Sequence, residues 1–130
     1  MQKKDIKILI VDDMPMIRGF LLGVLKKIGY INVVSSDNGM DAYTKLKLDT
    51  FDLVISDWNM PMLDGLGLLR KIRGNEKLNN LLFLMMTAES DKEKVTEAIK
   101  EGINGYIVKP VNAQILEKNL HALLKNKING

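Results

Sequence analysis

The sequence predicts an α/β domain, (βα)5, in which a doubly wound parallel sheet carries helices on both faces. Three observations predict it. Short apolar runs recur at 6–11, 33–35, 53–55, 81–86 and 106–108, each of strand length. Between and after them lie longer segments whose apolar residues share one helical face, and alternation of strand with helix selects parallel pairing. The chain has 130 residues, 46% hydrophobic and 27% charged, which suits one domain spanning 1–130. A chain of this size hides roughly two-thirds of its unfolded surface, enough for one core.

Each element has its own warrant. The first run is rich in Ile and Val and stops at Asp12-Asp13. Pro15 then fits a first helical turn, where a missing N–H costs nothing. Ile17, Phe20, Leu21, Val24, Leu25 and Ile28 form the apolar face of that helix, and Gly29 can close it. The second run is the weakest, followed by a helix with Ala42 and Leu46 on one face. The third run ends at Asp57, and Leu66, Leu69 and Ile72 mark the third helix. Gly67 inside it costs about 1 kcal/mol relative to Ala, for no reason visible in the sequence. The fourth run is rich in Leu and Met and ends at Thr87. Ser90 and Glu93 make a capping box, Val95, Ala98 and Ile99 mark the fourth helix, and Gly102 is placed to end it. The fifth run ends at Lys109-Pro110, and Ile115, Leu116, Leu120, Leu123 and Leu124 carry the last helix. The polar segment 125–130 reads as a frayed tail.

Composition removes several classes of function. Cysteine is absent, which excludes disulfides, thiolate metal sites and thiol nucleophiles, and a single His argues against structural zinc. Lys plus Arg is 19 against 16 Asp plus Glu, a net charge of +3. The only arginines are Arg18, Arg70 and Arg73, and the lysines are scattered, so no face is built for nucleic acid. The first apolar run is too short, and too soon followed by acids, for a signal peptide or membrane span. The expected compartment is the cytoplasm.

The chemistry collects where the strands end. Asp12-Asp13, Asp57, Thr87 and Lys109-Pro110 follow or finish four of the runs. In an open parallel sheet these ends share one edge, where such folds bind ligands. Each residue has a commonplace role taken alone: Asp caps helices and turns, Thr caps helices, Lys lies on surfaces and Pro forms turns. Their joint placement is what argues for a cleft. Three carboxylates gathered there repel one another unless a hard cation and Lys109 offset them. Oxygen ligands without His or Cys point to Mg²⁺. Asp57 is the candidate nucleophile, since an Asp can attack phosphorus and hold the phosphoryl as an acyl phosphate. A cis Lys109–Pro110 bond would aim the lysine back over the edge, and X-Pro is where cis is cheap.

With these residues in place, the chain resembles the receiver domains of two-component response regulators, and within them the chemotaxis branch. The matching stretches are Val11-Asp12-Asp13, Ser56-Asp57-Trp58-Asn59-Met60-Pro61, Asp64-Gly65-Leu66, Thr87-Ala88-Glu89 and Gly105-Tyr106-Ile107-Val108-Lys109-Pro110, in the family's order. The resemblance implies a flavodoxin-like fold with strand order 2-1-3-4-5. It implies that Asp57 takes a phosphoryl group from a phosphohistidine on a sensor histidine kinase. Asp13, Asp57 and the main-chain carbonyl of Asn59 would then bind Mg²⁺ directly, with Asp12 assisting through water. Thr87 and Lys109 would grip the phosphoryl oxygens, and Asn59 and Glu89 would tune the lifetime of the phosphorylated state. The implied output face carries Lys92, Val95, Ile99, Tyr106 and Lys118. The implied partners are the kinase, the flagellar motor switch and a phosphatase, met by a monomer. Two features depart from the family pattern: Met14-Pro15 follows the acid pair, and Val111 follows Lys-Pro in place of a frequent Phe.

Two other functions use the same residues. One is a phosphorelay shuttle or phosphate sink. The other is a Mg²⁺-dependent phosphohydrolase with an aspartyl nucleophile, disfavoured because haloacid-dehalogenase-type enzymes place Asp-x-Asp after the first strand and need a cap domain. The fifth helix reaches the end of the sequence, so no attached DNA-binding domain is expected.

Overall fold

Alternating short strands and helices build the molecule in chain order: β1 (Lys7–Val11), α1 (Pro15–Lys27), β2 (Asn32–Ser36), α2 (Gly39–Leu48), β3 (Leu53–Asp57), α3 (Gly65–Arg73), β4 (Leu82–Thr87), α4 (Lys92–Glu101), β5 (Gly105–Val108) and α5 (Ala113–Asn129). The structure is a computed structural model and describes residues 1–88 and 92–129, the last by its backbone alone. Every pairing is parallel, and the five strands lie in the order β2-β1-β3-β4-β5. The predicted flavodoxin-like α/β architecture and strand order are therefore those of the molecule.

The core follows from the alternation of side chains along each strand. Ile8 and Ile10 of β1, Leu53 and Ile55 of β3, and Leu84 and Met86 of β4 point to one face, where Leu21 and Leu25 of α1 and Leu116, Leu120 and Leu124 of α5 cover them. Leu9, Val11, Val54, Phe83 and Met85 point to the other, under Ala42 and Leu46 of α2, Leu68, Leu69 and Ile72 of α3, and Ala98 of α4. Because β3 is central and covered on both sides, all its residues are buried. Each large apolar side chain so buried contributes on the order of 1.5–3 kcal/mol.

Several local expectations change. Phe20, expected on the apolar face of α1, is 43% exposed, because the burial arc of this helix is narrow and centres on Leu21 and Leu25. Helix α5 continues through Asn129 across most of the segment read as a tail, since Ile128, one turn beyond Leu124, still packs on the core. The Ser90–Glu93 capping box lies outside the described residues. Val111 packs against the α5 side of the core. At Gly67 a Cβ would stand 2.6 Å from Leu63 Cδ1 and 3.2 Å from Asp64 Oδ1, the oxygen that caps α3, so a larger residue would make the end of the Leu63 side chain move.

Candidate functional site

Register brings the chemistry to one edge. Val11 pairs with Ser56, which sets the following residues, Asp12 and Asp57, side by side at the ends of β1 and β3. Asp57 pairs with Met86, so Thr87 finishes β4 one step further along, and Thr87 pairs with Val108, after which Lys109 leaves β5. Asp12, Asp57 and Thr87 are buried, whereas Asp13 is exposed. Carboxylate oxygens of Asp12, Asp13 and Asp57 lie within 4.8 Å of one another, a group able to hold a metal ion.

Asp12 is the most constrained of the three. Its main-chain N–H donates to the Ser36 carbonyl at 3.1 Å, its own carbonyl accepts from the Arg18 guanidinium at 2.7 Å, and its Oδ1 accepts from the Met14 N–H at 2.9 Å. Its Oδ2 is buried and accepts no hydrogen bond. Burial pushes the Asp12 carboxyl above the ordinary range, the Met14 N–H pulls it down, and the Asp57 charge pushes it up again. Lys109 reaches back over the edge: its Nζ is 3.0 Å from Asp57 Oδ1 and 3.8 Å from Asp12 Oδ2. The Lys109–Pro110 peptide bond is cis.

The donor set fits a hard divalent cation. It consists of oxygens alone, from three carboxylates within 4.8 Å of one another, and Asp12 Oδ2 is buried without a hydrogen-bond partner, a combination that a cation would satisfy.

The loop after β3 is held close to Asp57. The Trp58 N–H donates to the Met86 carbonyl at 2.9 Å, and the Gly65 N–H donates to the Trp58 carbonyl at 2.8 Å. A Cβ at Gly65 would stand 2.4 Å from the Asp57 carbonyl oxygen and 3.0 Å from Trp58 Cα, so only glycine admits this approach of α3 to the strand end. Asp64, quoted above only as part of a resemblance, caps α3 through the Gly67 N–H at 2.7 Å; an Asp just before a helix was the signal. Asn59 follows Trp58 with an exposed side chain. Of the remaining predicted residues, Lys92, Ile99, Tyr106 and Lys118 are exposed and Val95 is half-buried. Glu89 lies outside the described residues.

A doubly wound sheet whose carboxyl edge carries an acid pair, a buried aspartate on the central strand, a threonine and a lysine defines a class. A family model described as the response regulator receiver domain matches residues 8–121, and the chain belongs to that family. Within it the chain is of the CheY chemotaxis type. It is 43% identical over 122 residues to chemotaxis protein CheY-3 of Vibrio cholerae, covering 94% of each chain. It is 40% identical over 124 residues to chemotaxis protein CheY of Pseudomonas aeruginosa, covering 95% of this chain and 99% of that one. Among solved structures, the chemotaxis response regulator CheY4 of Vibrio cholerae superposes with a TM-score of 0.86 at 34% identity, over 92% of this chain and 98% of that one. Among the described residues no helix is long and apolar enough to cross a membrane.

Proposed function

We propose that the chain is a phosphorylation-driven switch in which Asp57 accepts a phosphoryl group from a phosphohistidine of a sensor histidine kinase, and that the phosphorylated form binds the flagellar motor switch. The observation that carries this reading is the Asp57 carboxylate at the end of the central strand, with Lys109 Nζ at 3.0 Å and two further carboxylates beside it. An Asp57 oxygen attacks phosphorus, the P–N bond breaks, and its electron pair returns to the imidazole, leaving an acyl phosphate. Lys109 then neutralises charge on the phosphoryl oxygens, and the Thr87 hydroxyl, at the next strand end, donates to one of them. Asp12, Asp13, Asp57 and the Asn59 carbonyl would hold Mg²⁺, which supplies charge neutralisation at the same oxygens. Asn59 and Glu89 set the phosphoryl lifetime. Lys92, Val95, Ile99, Tyr106 and Lys118 form the output face.

The names of the CheY relatives support the chemotaxis assignment. The test is a pull-down from cell extract with phosphorylated and unphosphorylated protein. Enrichment of a flagellar switch protein by the phosphorylated form alone supports the motor reading. Enrichment of a histidine phosphotransfer protein instead would establish the shuttle or sink. Catalytic turnover of phosphate esters would replace both with the hydrolase.

A further inference from the structure

Helices α3 and α4 are unequally anchored. Helix α3 buries Gly65, Leu66, Leu68, Leu69 and Ile72, whereas Ala98 is the only buried residue of α4 among those described. Apolar packing therefore fixes α3 to the sheet and leaves α4 loosely held. Polar ties from two α3 arginines make up part of the difference. Arg70 donates through Nη2 to Glu97 Oε1 at 2.7 Å and through Nε to Glu101 Oε1 at 3.1 Å. Arg73 donates to the Gly102 carbonyl at 2.7 and 3.1 Å, to the Leu81 carbonyl at 2.6 Å and to Asn104 Oδ1 at 2.9 Å. One guanidinium thus joins the end of α4 to the segments that lead into β4 and β5.

These ties differ in what motion they allow. Arg73 holds α4 at Gly102, so a displacement of α4 that starts beside Thr87 pivots about that end. Glu101 adjoins the pivot, but Glu97 stands about 7.5 Å along the helix axis from it and moves further. We propose that Arg70 is an electrostatic clasp: by holding Glu97 against α3 it biases the unphosphorylated chain toward its resting arrangement, and switching breaks the Glu97 bridge while the Arg73–Gly102 hinge persists. The clasp rests on the function proposed above, in which phosphorylation of Asp57 changes an output face that α4 carries through Lys92, Val95 and Ile99. All three side chains of the clasp are partly exposed, so its strength is modest and open to salt screening.

A switch biased toward rest binds any phosphoryl mimic more weakly, because the ligand shifts the equilibrium only by its preference for one state. Beryllofluoride with Mg²⁺ is the probe, titrated by fluorine NMR and by the fluorescence of Trp58. Arg70→Gln and Glu97→Gln are expected to tighten its binding by roughly two- to fivefold at low salt. Glu101→Gln changes it less, Arg70→Lys keeps most of the wild-type value, and the Arg70→Gln/Glu97→Gln double variant gains no more than either single one. The advantage disappears near 1 M salt, where the screening length is about 3 Å. Wild-type affinity matched by both single variants at every salt concentration overturns the clasp alone. So does full additivity of the two substitutions. A wild-type chain that binds no beryllofluoride overturns the phosphorylation reading, and the clasp with it.

Discussion

Lys109 Nζ stands 3.0 Å from Asp57 Oδ1 and 3.8 Å from Asp12 Oδ2, so one ammonium serves two buried carboxylates that end neighbouring strands. The closer contact is to the proposed acceptor. When Asp57 carries a phosphoryl group, the same ammonium is placed to follow the new charge outward.

Substitutions at the proposed acceptor and the proposed metal-holding residues are expected to separate two roles. Asp57→Asn is expected to abolish covalent phosphorylation by acetyl phosphate, read by intact mass. Asp13→Ala keeps the acceptor but loses Mg²⁺ affinity, read by Trp58 fluorescence. Uptake of phosphate by Asp57→Asn at the wild-type rate and position would show that the nucleophile is another residue.

Removing Mg²⁺ lowers stability by mass action. At a hundredfold excess over the dissociation constant a cation that binds only the folded chain adds about 2.7 kcal/mol. Unfolding free energies from urea titrations with Mg²⁺ and with a chelator should differ by that order in the wild type and by much less in Asp13→Ala. An equal gain in both would remove Asp13 from the metal site.

Asp12 links stability to pH. Its folded carboxyl is raised above the ordinary value by burial, so the folded chain binds its proton more tightly than the unfolded chain. The metal-free protein therefore loses stability from this group as pH rises from the ordinary carboxylate value through the raised one. Asp12→Asn removes the charge, and its stability advantage over the wild type is expected to be near zero at acid pH and to grow as pH rises toward neutrality. Chelator-treated urea unfolding at several pH values measures it; an advantage that shrank with rising pH would contradict the assignment.

Thr87 and Tyr106 lie on adjacent strands but are not register partners: Thr87 pairs with Val108, and Tyr106 with Met85. They share a sheet face as diagonal neighbours two positions apart, a separation that an aromatic side chain can span. Thr87→Ala and Lys109→Arg are expected to permit phosphorylation of Asp57 while lowering the phosphorylation-dependent gain in partner affinity by roughly tenfold, about 1.4 kcal/mol. Unchanged gain in both variants would require a different route to the output face.

Met62 holds φ at 69° with a 78% exposed side chain in the loop between β3 and α3. A left-handed conformation costs a residue with an ordinary side chain on the order of 1–2 kcal/mol, and Asn tolerates it better. Met62→Asn should raise the unfolding free energy, and with it the urea midpoint, by about 0.5–1 kcal/mol in free energy, roughly half that cost. A lower midpoint would mean that the methionine side chain packs usefully in this loop.

The sequence alone determined the alternation of five strands and five helices, since periodic burial is written in residue type: Ile8 and Ile10 against Leu9 and Val11, Leu21 with Leu25, Leu120 with Leu124. It also determined which residues end the strands, and parallel topology turns that list into one edge. Tertiary structure decided what depends on neighbours distant in the chain. Adjacent Asp12 and Asp13 differ in burial because only Asp12 is enclosed by Ser36, Met14 and Arg18. Phe20 fits the helical period yet is 43% exposed, because the period marks a face and not the width of the surface that covers it. Gly65 and Gly67 look like weak helix formers until the Asp57 carbonyl and the Leu63 side chain take up the space where their Cβ atoms would be. Arg73 reads as a surface cation, and its carbonyl partners at Leu81 and Gly102 have no signature in residue type, since every backbone offers the same acceptor.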